Sequence, residues 1–207
     1  MNAKKMLLGL LPWVVFSVLT QRAGASAVGI AAVAAVALSA YFMATDGQGH
    51  RLKIIPVTGV IGFGVIAVLA FSGGQGMSEW LADYGRGASA LMLSAVMLIS
   101  VITVPFSEQY ARESVPKAYW SSPTFHAVNQ KISALWGGAV LLMGCGHLLA
   151  GALDEAAINA GSSARPTDLL LNWLLPIGLV LLGVKGTKAL AESAGTTRSA
   201  TPAAVIR

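Results

Sequence analysis

Ile54-Ile-Pro-Val-Thr-Gly-Val-Ile-Gly-Phe-Gly-Val-Ile-Ala-Val-Leu-Ala-Phe71 carries no charged side chain, and the charge-free run that contains it continues to Ser78, 25 residues in all. An α-helix crosses the roughly 30 Å hydrocarbon core with about 20 apolar residues, since only hydrogen bonds closed within the segment satisfy its backbone away from water. The stretch therefore reads as a membrane span. Working outward, five further charge-free runs cover 6–21, 23–45, 87–107, 132–153 and 169–184. Those at 6–21 and 169–184 have 16 residues each, a shortfall that a thin bilayer or snorkelling flanks can accommodate. The fold class this predicts is all-α: one polytopic transmembrane helical bundle over 1–207. Its spans fall near 6–20, 24–44, 54–71, 88–106, 132–151 and 169–184, with a loop at 107–131 and a flexible C-terminal tail at 186–207.

Composition agrees with that reading. The 207 residues are 55% hydrophobic and 11% charged, with a mean hydropathy of +0.69, against about 25% charged in a soluble domain. Soluble enzyme and disordered chain are excluded, and the single cysteine, Cys145, excludes a disulfide scaffold.

The basic residues orient the bundle. Lys4, Lys5, Arg51, Lys53, Arg112, Lys117, Lys131, Lys185, Lys188, Arg198 and Arg207 fall on one side of the predicted spans, and only Arg22, Arg86 and Arg165 on the other. The positive-inside rule then places both termini and the 107–131 loop in the cytoplasm. The net charge of +5 is divided among short segments without interleaved aromatics, so it suits anionic headgroups rather than nucleic acid. The first span has a rival reading. Lys4 and Lys5, the apolar run to Leu19, and Ala23-Gly-Ala-Ser-Ala27 also fit a signal peptide, whose cleavage would leave five spans.

Small residues predict which helices pack closely. In lipid, helices associate by backbone approach, and Ser133 with Gly137, Ala134 with Gly138, and Gly146 with Ala150 repeat at spacing four. Gly137, Gly138, Gly144 and Gly146 mark the fifth span as central, with His147 expected as an interhelical hydrogen-bond partner. Pro12 and Pro176 should kink their helices.

The 107–131 segment concentrates mixed chemistry. Glu108 and Arg112 are four apart with the acid first, the favourable order on a helix. Pro116 ends that helix, and Ser122-Pro123 reads as an N-cap and first helical position. Glu108, Tyr110, Arg112, Glu113, Tyr119, Trp120 and Phe125 are the candidate contacts for a partner or the membrane surface, with Tyr119 and Trp120 suited to the headgroup region.

Metal and cofactor chemistry find little support. His126 and His147 are 21 residues apart, about 31 Å along a helix, and no His-x-x-His or Cys-x-x-Cys occurs. No metal, cofactor or catalytic residue is expected. No predicted span has an ionisable residue at its middle, which argues against an ion-coupled transporter.

Pro105-Phe-Ser-Glu-Gln-Tyr-Ala-Arg-Glu-Ser114, with Pro116, Tyr119-Trp120, Pro123, Phe125, Asn129 and Ile132-Ser-Ala-Leu-Trp136-Gly, resembles a loop of an uncharacterised family of bacterial multi-pass membrane proteins. The order of elements, from Leu10-Leu-Pro-Trp-Val-Val-Phe16 onward, is more weakly similar to the intracellular septation protein A family. That resemblance implies an inner-membrane protein linked to envelope growth and division, without catalysis. The function expected is accordingly a non-enzymatic accessory or scaffold protein docking through 107–131, with lipid and other membrane proteins or a second copy as partners. The alternatives are a carrier or channel for a small neutral solute, its cavity made by the kinks at Pro12 and Pro176, and a membrane redox or enzyme subunit.

Overall fold

The computed structural model of the protein describes residues 3–45, 52–159 and 166–199. Among these it is all-helical: α1 (Ala3–Gly9), α2 (Leu11–Ala23), α3 (Val28–Thr45), α4 (Ile54–Ser72), α5 (Gly74–Ile102), α6 (Phe106–Ala111), α7 (Pro123–Asn159), α8 (Pro166–Leu169), a π-helical turn (Leu170–Leu174) and α9 (Leu175–Ser199). Five helical segments are long and apolar enough to cross a membrane: Ala25–Thr45, Ile54–Ser72, Gly74–Ile102, Pro123–Ala156 and Thr167–Ser193. The 6–20 stretch differs. It divides into helices of 7 and 13 residues, because Pro12 has no N–H to offer and its ring clashes with the preceding turn. The chain tightens there instead, with Leu10 N–H donating to Leu7 O at 3.0 Å and Trp13 N–H to Leu10 O at 3.1 Å.

Several helices differ in extent from the predicted spans. The 88–106 span belongs to a 29-residue helix that begins fourteen residues earlier and ends at Ile102. A single corner makes the early start possible: Gly73 closes α4 by donating to Leu69 O, and Gly74 takes φ +72°, a backbone that L side chains rarely adopt. The early end follows from Pro105, which pushes Val104 out of the helical region; Phe106 then opens α6. The fifth span is likewise the middle of a 37-residue helix, about 55 Å long. Ser122 caps it, its hydroxyl accepting from Phe125 N–H at 3.2 Å. Beyond the 169–184 span, α9 runs on to Ser199, so the segment from 186 is helical that far; residues 200–207 lie outside the described residues, as do Arg51 and Arg165.

The bundle is organised on an antiparallel α5–α7 seam. A Cβ on Gly137 would stand 2.7 Å from Leu98, on Gly144 2.8 Å from Leu91, and on Gly151 3.2 Å from the Tyr84 ring. Three glycines seven residues apart thus receive three large side chains seven apart in reverse order, the 3.5-residue period of left-handed helix pairs. Ser94 adds a buried bond across the seam, donating to Gly137 O at 2.9 Å. On the other side of α7 the pattern repeats with α9: Gly146 meets Leu175, and Gly183 lies against the Trp136 ring. Gly138 is the exception, with nothing within 4 Å of its Cβ position. Meanwhile α2 packs on α3 and α5, and α9 on α7. A lateral groove is left between α2 and α9.

Candidate functional site

That groove has a volume of about 310 Å³ and is lined from α2, α5, α7 and α9. Its chemistry is graded along its length. The five polar lining residues, Ser17, Gln21, Arg86, His147 and Asn172, occupy the end nearer the α2–α3 and α4–α5 turns. At the other end the same helices supply Leu10, Trp13, Leu93, Val140, Val180 and Leu181. From Leu10 to Gln21 the α2 wall is eleven residues long, about 16 Å. The side of the groove is open, since Val14 on α2 and Ile177 on α9 are 53% and 54% exposed.

Hydrogen bonds shape the polar end. Gln21 Nε2 donates to Asp168 Oδ2 at 3.1 Å, bridging α2 and α8 across the mouth. Asn172 Nδ2 donates to Asp168 Oδ1, and His147 Nδ1 lies 2.7 Å from Asn172 Oδ1. The protons along this chain follow from its chemistry. A carboxylate only accepts, so it takes the Asn172 amide N–H; Asn172 Oδ1 therefore faces His147 and accepts, and the imidazole proton sits on Nδ1. In the neutral ring Nε2 is left as an acceptor. Asn172 reaches His147 because of a local irregularity with a covalent cause. Pro176 has no N–H for the Asn172 carbonyl, and the backbone widens into the π-helical turn, Leu175 N–H donating to Leu170 O.

Arg86 completes the polar end from α5. The sequence places it in an external loop, with no acidic or basic residue expected at the middle of a span; it stands instead inside α5, only 7% exposed. Among the described residues its guanidinium makes no hydrogen bond or ion pair, and its Nε is buried without a partner. Asp83, Asp154 and Asp168 act on it only through space. Gly87 beside it admits the Leu148 side chain, which brings α7 onto α5 at this level. Arg86, Asp168 and Gln21 were all missed from sequence. The legible signals were an arginine between two glycines, Gly85 and Gly87, and Asp168 four residues before Asn172.

The residues expected to dock a partner lie at the opposite end and face largely inward. Phe106 and Tyr110 enter the core with Met6, Ile55 and Trp136, Tyr110 being 1% exposed. Glu108, 2% exposed, accepts from Arg112 at 2.9 Å and lies 2.5 Å from His126 Nδ1. Glu113 pairs with Lys5 at 3.1 Å and with Lys53. Ser107 donates to Asn129 at 2.9 Å, and Gln109 accepts the Ile54 N–H at the start of α4. Arg112 stacks over Trp120, whose indole N–H donates to Val115 O at 2.8 Å. Phe125 is half-buried, and Tyr119 is exposed. The motif knits α1, α4, α6 and α7 together. Among the described residues no group of three or more His, Cys, Asp or Glu side chains could hold a metal ion.

Comparison of the chain with protein-family models, with curated proteins and with solved structures returned no match.

Proposed function

We propose that this is an inner-membrane protein with six crossings and both termini cytoplasmic, which binds a molecule with an apolar chain in the groove between α2 and α9. The graded lining carries the reading. Thirteen of its eighteen lining residues are apolar, and the polar ones gather at one end, the arrangement of a site for an amphiphile rather than a water-filled path. The side opening faces lipid in such a bundle, so the occupant enters by lateral diffusion. The neutral-solute carrier foreseen from Pro12 and Pro176 becomes a binder of a chain-bearing molecule.

The test uses the full chain purified in mild detergent, with bound lipids read by mass spectrometry before and after filling the apolar end with Val180→Trp. A lipid that co-purifies in stoichiometric amount and is lost in the variant is the expected result. Equal recovery from both proteins would remove the groove reading. The docking role for 107–131 keeps a narrower basis in its outward residues, Lys117 and the 41% exposed Tyr119. Joint replacement of those two by Ala should alter the co-purifying proteins; an unchanged set would sink it.

A further inference from the structure

Arg86 is a charged side chain more than nine-tenths buried, lining the groove, with no hydrogen bond or ion pair among the described residues. A guanidinium withdrawn from water is unfavourable unless a counter-charge meets it. Asp83, Asp154 and Asp168 reach it only through space, and Asp168, at the groove mouth, spends its oxygens on other donors, accepting from Gln21 with both and from Asn172 with Oδ1. Arg86 thus keeps its planar fork of donors, matched to a carboxylate or phosphate. His147 lines the same end, 8% exposed, with its Nδ1 engaged by Asn172 and Nε2 left to accept from a hydroxyl or a protonated oxyacid. Below these two groups the walls are apolar for about 10 Å, from Arg86 to Leu93 on α5 and from His147 to Val140 on α7, and the open side lets the rest of a chain continue into lipid.

We infer that the groove takes a single-chain amphiphile with an anionic oxyacid head, bound head-first at Arg86 with His147 Nε2 beside it. This rests on the groove reading above and adds the chemistry of the occupant. The anion arrives attached to its chain, from the membrane; a free anion would have no use for the apolar wall from Leu93 to Val180.

The experiment keeps the chain constant and varies the head. Full-length protein in nanodiscs of zwitterionic lipid is titrated with dodecyl phosphate, dodecanoate, dodecanol and inorganic phosphate, and binding is followed by native mass spectrometry. Wild type should bind the two anionic amphiphiles at least tenfold more tightly than dodecanol, and inorganic phosphate more weakly still. Arg86→Gln should bind all three chains alike, while Arg86→Lys, which keeps the charge without the fork, should fall between. Val180→Trp should lose every chain. Loss of head discrimination in wild type, or its survival in Arg86→Gln, would overturn the anionic head and leave the groove reading standing. Inorganic phosphate binding as tightly as dodecyl phosphate would overturn the membrane source. Failure of every chain to bind would overturn both readings. Unfolding of the ligand-free protein separates recognition from scaffolding: Arg86→Gln should leave its midpoint unchanged or raise it, and a fall of several degrees would make Arg86 a structural residue instead.

Discussion

Glu108 and Arg86 show how burial changes the meaning of a charge. Glu108 sits in α6 with both oxygens engaged, one by Arg112 and one by His126. Removing one partner of a buried pair costs about 3–5 kcal/mol when both are enclosed, but the Arg112 and His126 side chains are 27% and 45% exposed. Glu108→Ala should therefore cost about 2 kcal/mol, a fall of roughly 4–8 °C in unfolding midpoint for a chain of this size. Thermal unfolding in detergent checks it, and an unchanged midpoint would show that the network does not hold α6. Among the described residues Arg86 has no comparable partner, so its replacement should not lower the midpoint. Neither environment was legible locally. Glu108 and Arg112 read as a helical pair on an exposed loop, because the third member, His126, is 18 residues away and comes near only once the chain has turned between α6 and α7.

Between helices, spacing decided what could be seen beforehand. The fifth span was recognisable as a packing helix from its small residues, but the working period is seven, from Gly137 through Gly144 to Gly151, and the partner side chains repeat at the same period on α5. A four-residue search collects Gly138 along with Gly137, and the two are opposite in kind. At Gly144 an added Cβ would lie 2.8 Å from the Leu91 side chain and 3.1 Å from its backbone nitrogen, so the helices must part. Gly144→Ala should destabilise by about 1–3 kcal/mol through overpacking. Gly138→Ala, with nothing within 4 Å, should instead stabilise by up to about 1 kcal/mol through helix propensity. Chemical or thermal unfolding of the two variants side by side reads the contrast, and equal effects would disprove the seam. The π-helical turn offers a second test at this scale. Pro176 was legible as a kink; that the kink aims Asn172 at His147 was not, since a one-residue widening of the backbone leaves no mark in composition. Pro176→Ala restores the missing donor and favours a regular helix, which rotates Asn172 away from His147. Amphiphile retention in Val180→Trp and Pro176→Ala should then fall together, and retention at wild-type level in Pro176→Ala would free the groove from dependence on the turn.

The whole molecule turns on how many times the chain crosses, and here the charges and the contacts bear on the same question from independent directions. Five crossings would satisfy length and hydropathy, with α1 and α2 laid on the surface. The sixth crossing proposed above rests on contacts. Lys5 at the start of α1 and Lys53 before α4 both pair with Glu113 beyond α6, gathering three segments at one end of the bundle. At the other end of the first pass, Gln21 near the close of α2 bonds Asp168 at the opening of the C-terminal helices. The α1–α2 pair therefore runs the depth of the bundle despite its break, with Phe16 fully buried between α3, α4 and α5 residues. In the proposed orientation the basic residues concentrated at the Lys5 and Lys53 end put that end in the cytoplasm, as the positive-inside rule expects. Protease treatment of spheroplasts carrying single epitope tags separates the two counts. Tags at the N-terminus and after Arg207 should both be protected while a tag between Gly73 and Gly74 is cut. An N-terminal tag cut together with the Gly73 tag, beside a protected C-terminal one, would mean five crossings and would remove α2 as a wall of the groove at membrane depth.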